Sequence, residues 1–323
     1  MPSAIQVSEF GGSDQLKFET IIIGKPARGQ VHLKQATCGL NFIDVYHRTG
    51  FYDIALPFIP GSEGAGMVVA LGAGVDNVAV GDRVAYAGAR GSYAEERLID
   101  ADQLVKLPDE ISFEQASAMM LQGMTAQMLL RQVYKVQKGD TILVHAAAGG
   151  VGLIMCQWAA ALGATVIGTV STKEKAALAK AHGCHHAIIY TEQNFVEEVK
   201  KITDGKGVPV VYDSVGKTTF LDSLDCVETR GLMVTFGQSS GAIEPFSPLL
   251  LNAKGSLYLT RPTLFTYLDG RKKLEAASSE LFEMVMSGKV KININQTFAL
   301  KDAAKAHDAL ESRATTGSTV LVV

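Results

Sequence analysis

The sequence predicts an α/β protein built in two parts: a compact antiparallel barrel drawn from both ends of the chain, and a central doubly wound parallel sheet. Three observations carry this. Residues 1 to about 122 show short alternating apolar segments and frequent turn residues, without long helices between them. From Thr141 onward the pattern changes to strand–helix repeats. At the start of those repeats, GDTILVHAAAGGVGLIMCQWAA (139–160) runs from an apolar strand through glycines into a helix.

In the first part, Ile5 to Val7, Val31 to Lys34, Gly66 to Leu71 and Arg83 to Tyr86 read as strands. Turn signals at Gly11-Gly12, Gly72-Ala73-Gly74 and Gly81-Asp82 separate them. Helical pattern begins near Ser112, an N-cap residue with Gln115 three positions on. A longer helix is expected from about Thr125. Six parallel strands should follow at Thr141–His145, Thr165–Thr169, Ala187–Tyr190, Val208–Asp213, Leu232–Phe236 and Ser256–Leu259. The tail reads as a helix from Leu274 to Ser287, closed by Gly288. A short strand at Ile292–Ile294, a helix at Asp302–Ser312 and a strand at Thr319–Val323 complete it. It holds too little apolar material for its own core, so it should fold back onto the first part. The expected division is 1–124 with 261–323, and 125–260.

Composition narrows the function. A chain of 323 residues with 47% hydrophobic residues and 32 glycines can bury a sizeable core. A net charge of −3 gives no reason to expect nucleic acid or an anionic membrane as partner. The apolar region Thr141–Val170 is broken by glycines, His145 and Gln157, which argues against a membrane span. MPSAIQVSEF shows no export signal, and the four cysteines are scattered without a C-x-x-C pair. Both features point to the cytoplasm.

The glycine stretch is where chemistry enters. A strand ending in Gly149, Gly150 and Gly152 at a helix start lets backbone approach a pyrophosphate, which the helix N–H groups and dipole then hold. About twenty residues on, a site for NAD places an acidic residue against the ribose 2′-OH. Here stand Ser171, Thr172, Lys173 and Lys175, which suit the 2′-phosphate of NADPH, although both lysines could simply begin a solvated helix beside Glu174. The other strand ends, at Tyr190, Asp213–Gly216 and Phe236–Ser239, should complete the rim, with Ser214, Gly237 and Ser239 as small or hydroxylated members. His182, Cys184, His185 and His186 have metal-ligand types at short spacing. The preferred reading is a helix end: His182 complements the dipole and Gly183 caps it.

With these residues in view, the chain resembles the zinc-free quinone oxidoreductase (zeta-crystallin) branch of the medium-chain dehydrogenase/reductase superfamily. Gly139-Asp140, Leu143, Ala147–Gly150, Gly152 and Gln157 match its signature, and Ala160 departs from the usual Lys or Arg. The likeness extends to Asn41–Tyr46, Pro60–Gly66, Gly81–Val84, Val211–Gly216 and Glu311–Thr315. It implies a GroES-like β-barrel catalytic domain with a central Rossmann domain, NADPH as cofactor, and hydride transfer to a quinone. Zinc-dependent members carry Cys and His where this chain has Asn41 and Ser62, so no catalytic zinc is expected. Asn41, Tyr46 and Tyr52 are the candidate catalytic residues. Asn41 would reach toward the nicotinamide ribose or the substrate oxygen, and the tyrosines would stack on a flat ring. A turn asparagine and packing tyrosines are the plainer alternatives. Substrate is expected near these three and the Arg261–Leu264 segment. Asn41 and Tyr46 are also candidate cofactor contacts, as are Thr125, Val151, Phe236, Pro262, Leu264 and Arg313. Two other functions stay open: reduction of an activated C=C bond in an enone or alkenal, and a non-enzymatic NADPH-binding sensor or structural protein. A homodimer is expected through the edge strand Ser256–Leu259, since relatives pair that edge across a two-fold axis.

Overall fold

The computed structural model describes residues 1–323, which form two compact units. One comprises residues 1–124, 269–286 and 292–323; the other comprises 125–268 and 287–291.

In the first unit the strands in chain order are β1 (Ser3–Gln6), β2 (Lys17–Thr20), β3 (Gln30–Leu40), β4 (Glu63–Leu71), β5 (Arg83–Ala87), β6 (Glu96–Asp100) and β7 (Val105–Lys106). The second unit contributes β8 (Thr141–Val144), β9 (Thr165–Val170), β10 (His186–Ile189), β11 (Val208–Asp213), β12 (Val227–Thr235) and β13 (Tyr258–Thr260). The chain then returns to the first unit for β14 (Ile294–Ala299) and β15 (Ser318–Val322).

The first unit holds a seven-stranded sheet in the order β14-β15-β3-β4-β5-β7, with β6 also pairing to β3, and a separate β1–β2 pair. Pairing along β3 is antiparallel throughout, and its length lets it serve β15, β4 and β6 at once. Ile5, Val7, Cys38, Leu40, Tyr93, Leu300, Ala303 and Leu321 form one of its cores, so both ends of the chain supply apolar side chains to it. The helix at Phe113–Ser117 starts on the expected capping box: Gln115 N donates to Ser112 Oγ, and Ser112 N donates to Gln115 Oε1, both at 3.2 Å.

The second unit is a six-stranded parallel sheet in the order β10-β9-β8-β11-β12-β13. The strands leave β8 in one direction through β9 and β10, and resume on its other side with β11. That reversal opens the carboxyl ends of β8 and β11 as a ligand-binding crevice. The strands read as near-continuous apolar runs because helices cover them. Leu143, Ile167, Val211 and Met233 are fully buried, and Phe195 and Val199 from the helix Phe195–Ile202 pack with them. That helix is strongly amphipathic and is capped by Asn194 Oδ1, which accepts from Val196 N and Glu197 N. The helix Gly150–Ala161 is apolar on nearly all sides, with Gln157 its one polar side chain, and Trp158 within it is buried.

Several boundaries differ from the sequence expectation. A helix spans Phe42–Arg48, where the sequence shows no apolar stripe. The helix expected from Thr125 begins at Met120, because the segment is buried on nearly all sides and lacks the polar stripe that marks a start. The strand placed at Ile292–Ile294 instead occupies Ile294–Ala299, where the alternation of partly buried and exposed residues continues. β12 begins five residues before the expected Leu232, and β13 is Tyr258–Thr260, since Ser256 sits in the left-handed region at φ 57°. No helix is long and apolar enough to cross a membrane.

Core burial sets the first expected outcome. Leu143→Ala leaves a cavity between parallel strands and should cost about 2–5 kcal/mol, read as a lowered urea midpoint. Leu221→Ser, at a side chain 58% exposed, should change stability by less than about 0.5 kcal/mol.

Candidate functional site

At the carboxyl end of β8 the chain turns through Ala146, held at φ 53°, and enters the helix 150–161 at Gly149. Gly149 carries no side chain to cap the helix, so its first N–H groups stay available to a ligand. The approach is close: a Cβ on Gly152 would lie 2.3 Å from Ala146 O and 2.8 Å from Ala147 Cα. Only glycine lets the helix sit this near the turn. The backbone therefore fits a pyrophosphate, as the motif requires.

The neighbouring strand ends join this cradle. Beyond β9, Ser171 and Lys175 are half-buried at the start of the helix Lys173–Ala181, whose Thr172 cap accepts from Lys175 N at 3.2 Å. Tyr190 N donates to Val170 O, and Thr191 Oγ1 donates to Ser171 O at 2.9 Å, which brings Tyr190 beside Ser171. Beyond β11, the buried Asp213 carboxylate accepts from Val215 N, Gly216 N and Thr219 Oγ1 and so shapes the Ser214–Gly216 turn. Ser239 N donates to Ser214 O, and a Cβ on Gly237 would press on Ser214 O at 2.7 Å. Ser214, Phe236, Gly237 and Ser239 are therefore one cluster. Arg261 Nη1 donates to Thr235 O and Gly237 O at 3.3 and 3.4 Å. Pro262 follows it and Leu264 is buried. Val151 lies in the first turn of the glycine-led helix. Thr125 lies on the helix Met120–Met128, and Arg313, at φ 59°, on the exposed turn after the helix Ala303–Glu311.

The histidine-rich segment turns onto backbone. His182 Nδ1 bonds Leu178 O at 2.8 Å, His185 Nδ1 accepts from Val166 N at 3.0 Å, and the Cys184 thiol faces Val166 O and His186 O. Gly183 ends the helix at φ 87°. These are helix-end contacts.

In the first unit, Asn41 begins the helix Phe42–Arg48 and is 7% exposed. Tyr46 lies one turn along, its ring 5.2 Å from Phe42, 5.4 Å from Phe51 and 5.8 Å from Tyr52. Tyr52 stands edge-on to Phe51 at 5.3 Å, and both are partly exposed. Tyr46 and Tyr52 thus share one aromatic surface with Phe42 and Phe51, and Asn41 immediately precedes Phe42 in the chain.

Around Asn41 lies a polar network whose members stand in separate stretches of the sequence. Asn41 Nδ2 donates to Glu63 Oε2 at 2.7 Å, and Leu121 N donates to Glu63 Oε1 at 2.8 Å. Asp44 accepts from Asn41 N, from Ser62 Oγ at 2.9 Å and from Tyr93 OH at 3.1 Å. Tyr93 OH also meets His307 Nε2, while Arg48 bonds His307 Nδ1 and pairs with Glu311. Burial pushes the Asp44 carboxyl up to about 7 and Glu63 up to about 8. Burial, aided by Arg48, lowers His307 to about 3. Burial, aided by Arg90, lowers His47 to about 4. The trace in the sequence was Glu63 itself, an acid between glycines in a segment otherwise fit for a core.

Residues 150–280 match the zinc-binding dehydrogenase family, and residues 27–109 match the alcohol dehydrogenase GroES-like domain. Quinone oxidoreductase of Pseudomonas aeruginosa is 51% identical over 324 residues, covering all of both chains. This chain belongs to the quinone oxidoreductase family. The crystal structure of Escherichia coli quinone oxidoreductase complexed with NADPH superposes at a TM-score of 0.98, with 47% identity, over 99% of this chain and all of that one. A 2-haloacrylate reductase from Burkholderia is 44% identical over all of this chain and 99% of its own. The fold is accordingly a GroES-like domain with a Rossmann-type sheet of the medium-chain dehydrogenase/reductase superfamily. Zinc does not fit the residues present. Asn41 and Ser62 offer an amide and a hydroxyl, both already engaged with Glu63 and Asp44, in place of imidazole or thiolate.

Five buried titratable groups set a pH dependence of stability. Folded Asp44 and Glu63 keep protons that the unfolded carboxyls release above pH 3.8 and 4.5, so their stabilisation is lost as pH rises through about 7 and 8. His47, His307 and His145, all lowered by burial, act oppositely: the unfolded imidazoles gain protons below 6.5, which costs stability as pH falls. Below about pH 6.5 the three imidazoles outweigh the two carboxyls, and above that the carboxyls act alone. Tm should rise gently toward pH 6.5 and decline from pH 6.5 to 8.5, less steeply in Glu63→Gln. A Tm that climbs over the latter range would contradict burial of protonated carboxyls.

Proposed function

We propose that this protein reduces quinones with NADPH and without a metal. The observation that carries the reading is the carboxyl edge of the parallel sheet. There an uncapped, glycine-led helix start stands beside a β9 end that carries hydroxyls and Lys175 in place of an acid. The family membership and its NADPH-bound relative support the same assignment.

The N–H groups after Gly149, with Gly150, Val151 and Gly152, hold the pyrophosphate. Ser171 and Lys175 take the 2′-phosphate, with Tyr190 beside them. Ser214, Phe236, Gly237 and Ser239 line the path of the remaining nucleotide, and Thr125, Pro262, Leu264 and Arg313 complete its contacts. The bound dinucleotide supplies the hydride. Asn41 directs an N–H toward the acceptor oxygen or the nicotinamide ribose, and Tyr46 and Tyr52 present aromatic faces to a flat ring. A quinone needs little activation, so orientation supplies most of the rate. Water delivers the proton.

Reduction of an activated C=C bond is the second reading, favoured by the 2-haloacrylate reductase relative. It requires a proton at the alpha carbon, and Tyr52, the more exposed of the two tyrosines, would then donate it.

NADPH oxidation with a panel of 1,4-quinones and of enones separates the two readings, quinones being expected to turn over faster. Cofactor choice is tested in the same assay. Charge-assisted hydrogen bonds to a phosphate are worth about 1.5–3 kcal/mol each. Lys175→Ala should therefore lower kcat/KM for NADPH by roughly ten- to a hundredfold and leave NADH nearly unchanged. An equal loss with both cofactors would refute the assignment of Lys175.

The subunits pair as a homodimer through β13. This strand ends the sheet, and Tyr258 on it is 65% exposed, so its free edge can pair with a second copy about a two-fold axis. Sedimentation at micromolar concentration should give twice the chain mass, and Leu259→Pro, which removes an N–H from the strand, should shift it to monomer.

A further inference from the structure

Four buried side chains of the first unit form one continuous polar chain. Asn41 Nδ2 donates to Glu63 Oε2 at 2.7 Å, Gln122 Nε2 donates to Asn41 Oδ1 at 3.2 Å, and Ser318 Oγ donates to Gln122 Oε1 at 2.8 Å. The inner members can work in either sense. A carboxamide has donor and acceptor ends of nearly equal shape, and a hydroxyl both gives and accepts. The two ends fix the direction. Glu63 Oε1 is committed to Leu121 N, so only Oε2 is free to change its role. At the far end Ser318 Oγ lies 3.0 Å from Ala118 O, a second acceptor within reach.

We propose that Glu63 is a positioning residue whose proton sets the direction of this chain and thereby turns the Asn41 carboxamide over. With Glu63 ionised, the bonds run as described, and the second N–H of Asn41 Nδ2 remains available beside Glu63. With a proton on Oε2, taken from solvent, the Glu63 hydroxyl donates to Asn41 Oδ1. Asn41 Nδ2 then donates to Gln122 Oε1, Gln122 Nε2 to Ser318 Oγ, and Ser318 to Ala118 O. Every buried group keeps a partner in both arrangements, so neither carries the cost of an orphaned donor. What changes is the free edge of Asn41, from donor to acceptor.

Few other charges bear on Glu63. Asp44 faces it from the helix Phe42–Arg48 and raises it further. Cys38 on β3 and Tyr93 before β6 also face it, and both are held protonated, the thiol pushed up to about 12 and the phenol well above its usual value. The helix Met120–Met128 offers it backbone N–H groups.

The consequence for catalysis rests on the proposed placement of Asn41 at the acceptor. A quinone oxygen only accepts hydrogen bonds, so it needs the donor edge and meets a repelling carbonyl in the other arrangement. Glu63→Gln makes the test direct. Its Oε1 keeps the Leu121 N–H while its Nε2 donates to Asn41 Oδ1, which fixes the turned-over arrangement at every pH. For a water-soluble 1,4-benzoquinone with NADPH, the parent's kcat/KM should drop about tenfold as pH falls from 9.5 to 6. Glu63→Gln should be flat at the parent's low-pH value. Retention of the parent's transition, or a flat profile at the high-pH value, would overturn the proposal. A second measurement covers a variant that does not fold. In the ¹⁵N-labelled parent, the side-chain amide signals of Asn41 and Gln122 should move with one common midpoint, and independent movement would also overturn it. Common movement that kcat/KM does not follow would uphold the reversal and refute the placement of Asn41.

Discussion

The contact on which the second unit depends is the one between Gly152 and the turn at Ala146. Because the helix there has no Cβ to hold it off, it lies against the end of β8 and points its N–H groups past the edge of the sheet. Ala146 accepts a left-handed conformation to make this turn, a local strain that the surrounding sheet must hold. β9 and β11 flank β8 on either side, so the ends of three strands are fixed relative to that helix start. A dinucleotide site of this kind is a property of backbone placement, and side chains only tune what it prefers.

That dependence explains how much of the fold was legible. The inner parallel strands stood out in the sequence because strands buried on both faces must be apolar over nearly their whole length, as in Thr141–Val144. Their helices begin at recognisable caps such as Thr172 and Asn194. The first unit was harder. The helix Phe42–Arg48 buries Asp44, His47 and Arg48 together with Val45, so its composition gives no apolar stripe to read. β6 and β7 are short, and what makes them strands is pairing with β3 and β5, which lie far off in the sequence.

The candidate site divides along the same line. The glycines and the residues after β9 could be found because spacing along the chain decides their role. Asn41 and the two tyrosines were named, but Phe42 and Phe51 were not, since only the fold shows that they share one aromatic surface. The network that joins Glu63 to Gln122 and Ser318 was beyond reach for a related reason. A buried carboxyl is tolerable only with partners, and the groups bonded in series to Glu63 on β4 come from a helix start, a second helix and the last strand. Nothing local in the sequence joins them.

The pairing of β15 with β3 carries a consequence for the order in which the molecule is made. Thr319 lies opposite Leu40, the residue immediately before Asn41, and Ser318 bonds the Gln122 side chain. The strand that delivers Asn41 is therefore completed on that edge by residues synthesised long after it. On the ribosome the parallel-sheet segment, contiguous from 125 to 268, can close while the first segment still waits with an open strand edge. Translation thus imposes a timetable on the protein: its parallel sheet can close before β15 is made, and the half that carries Asn41 only after it.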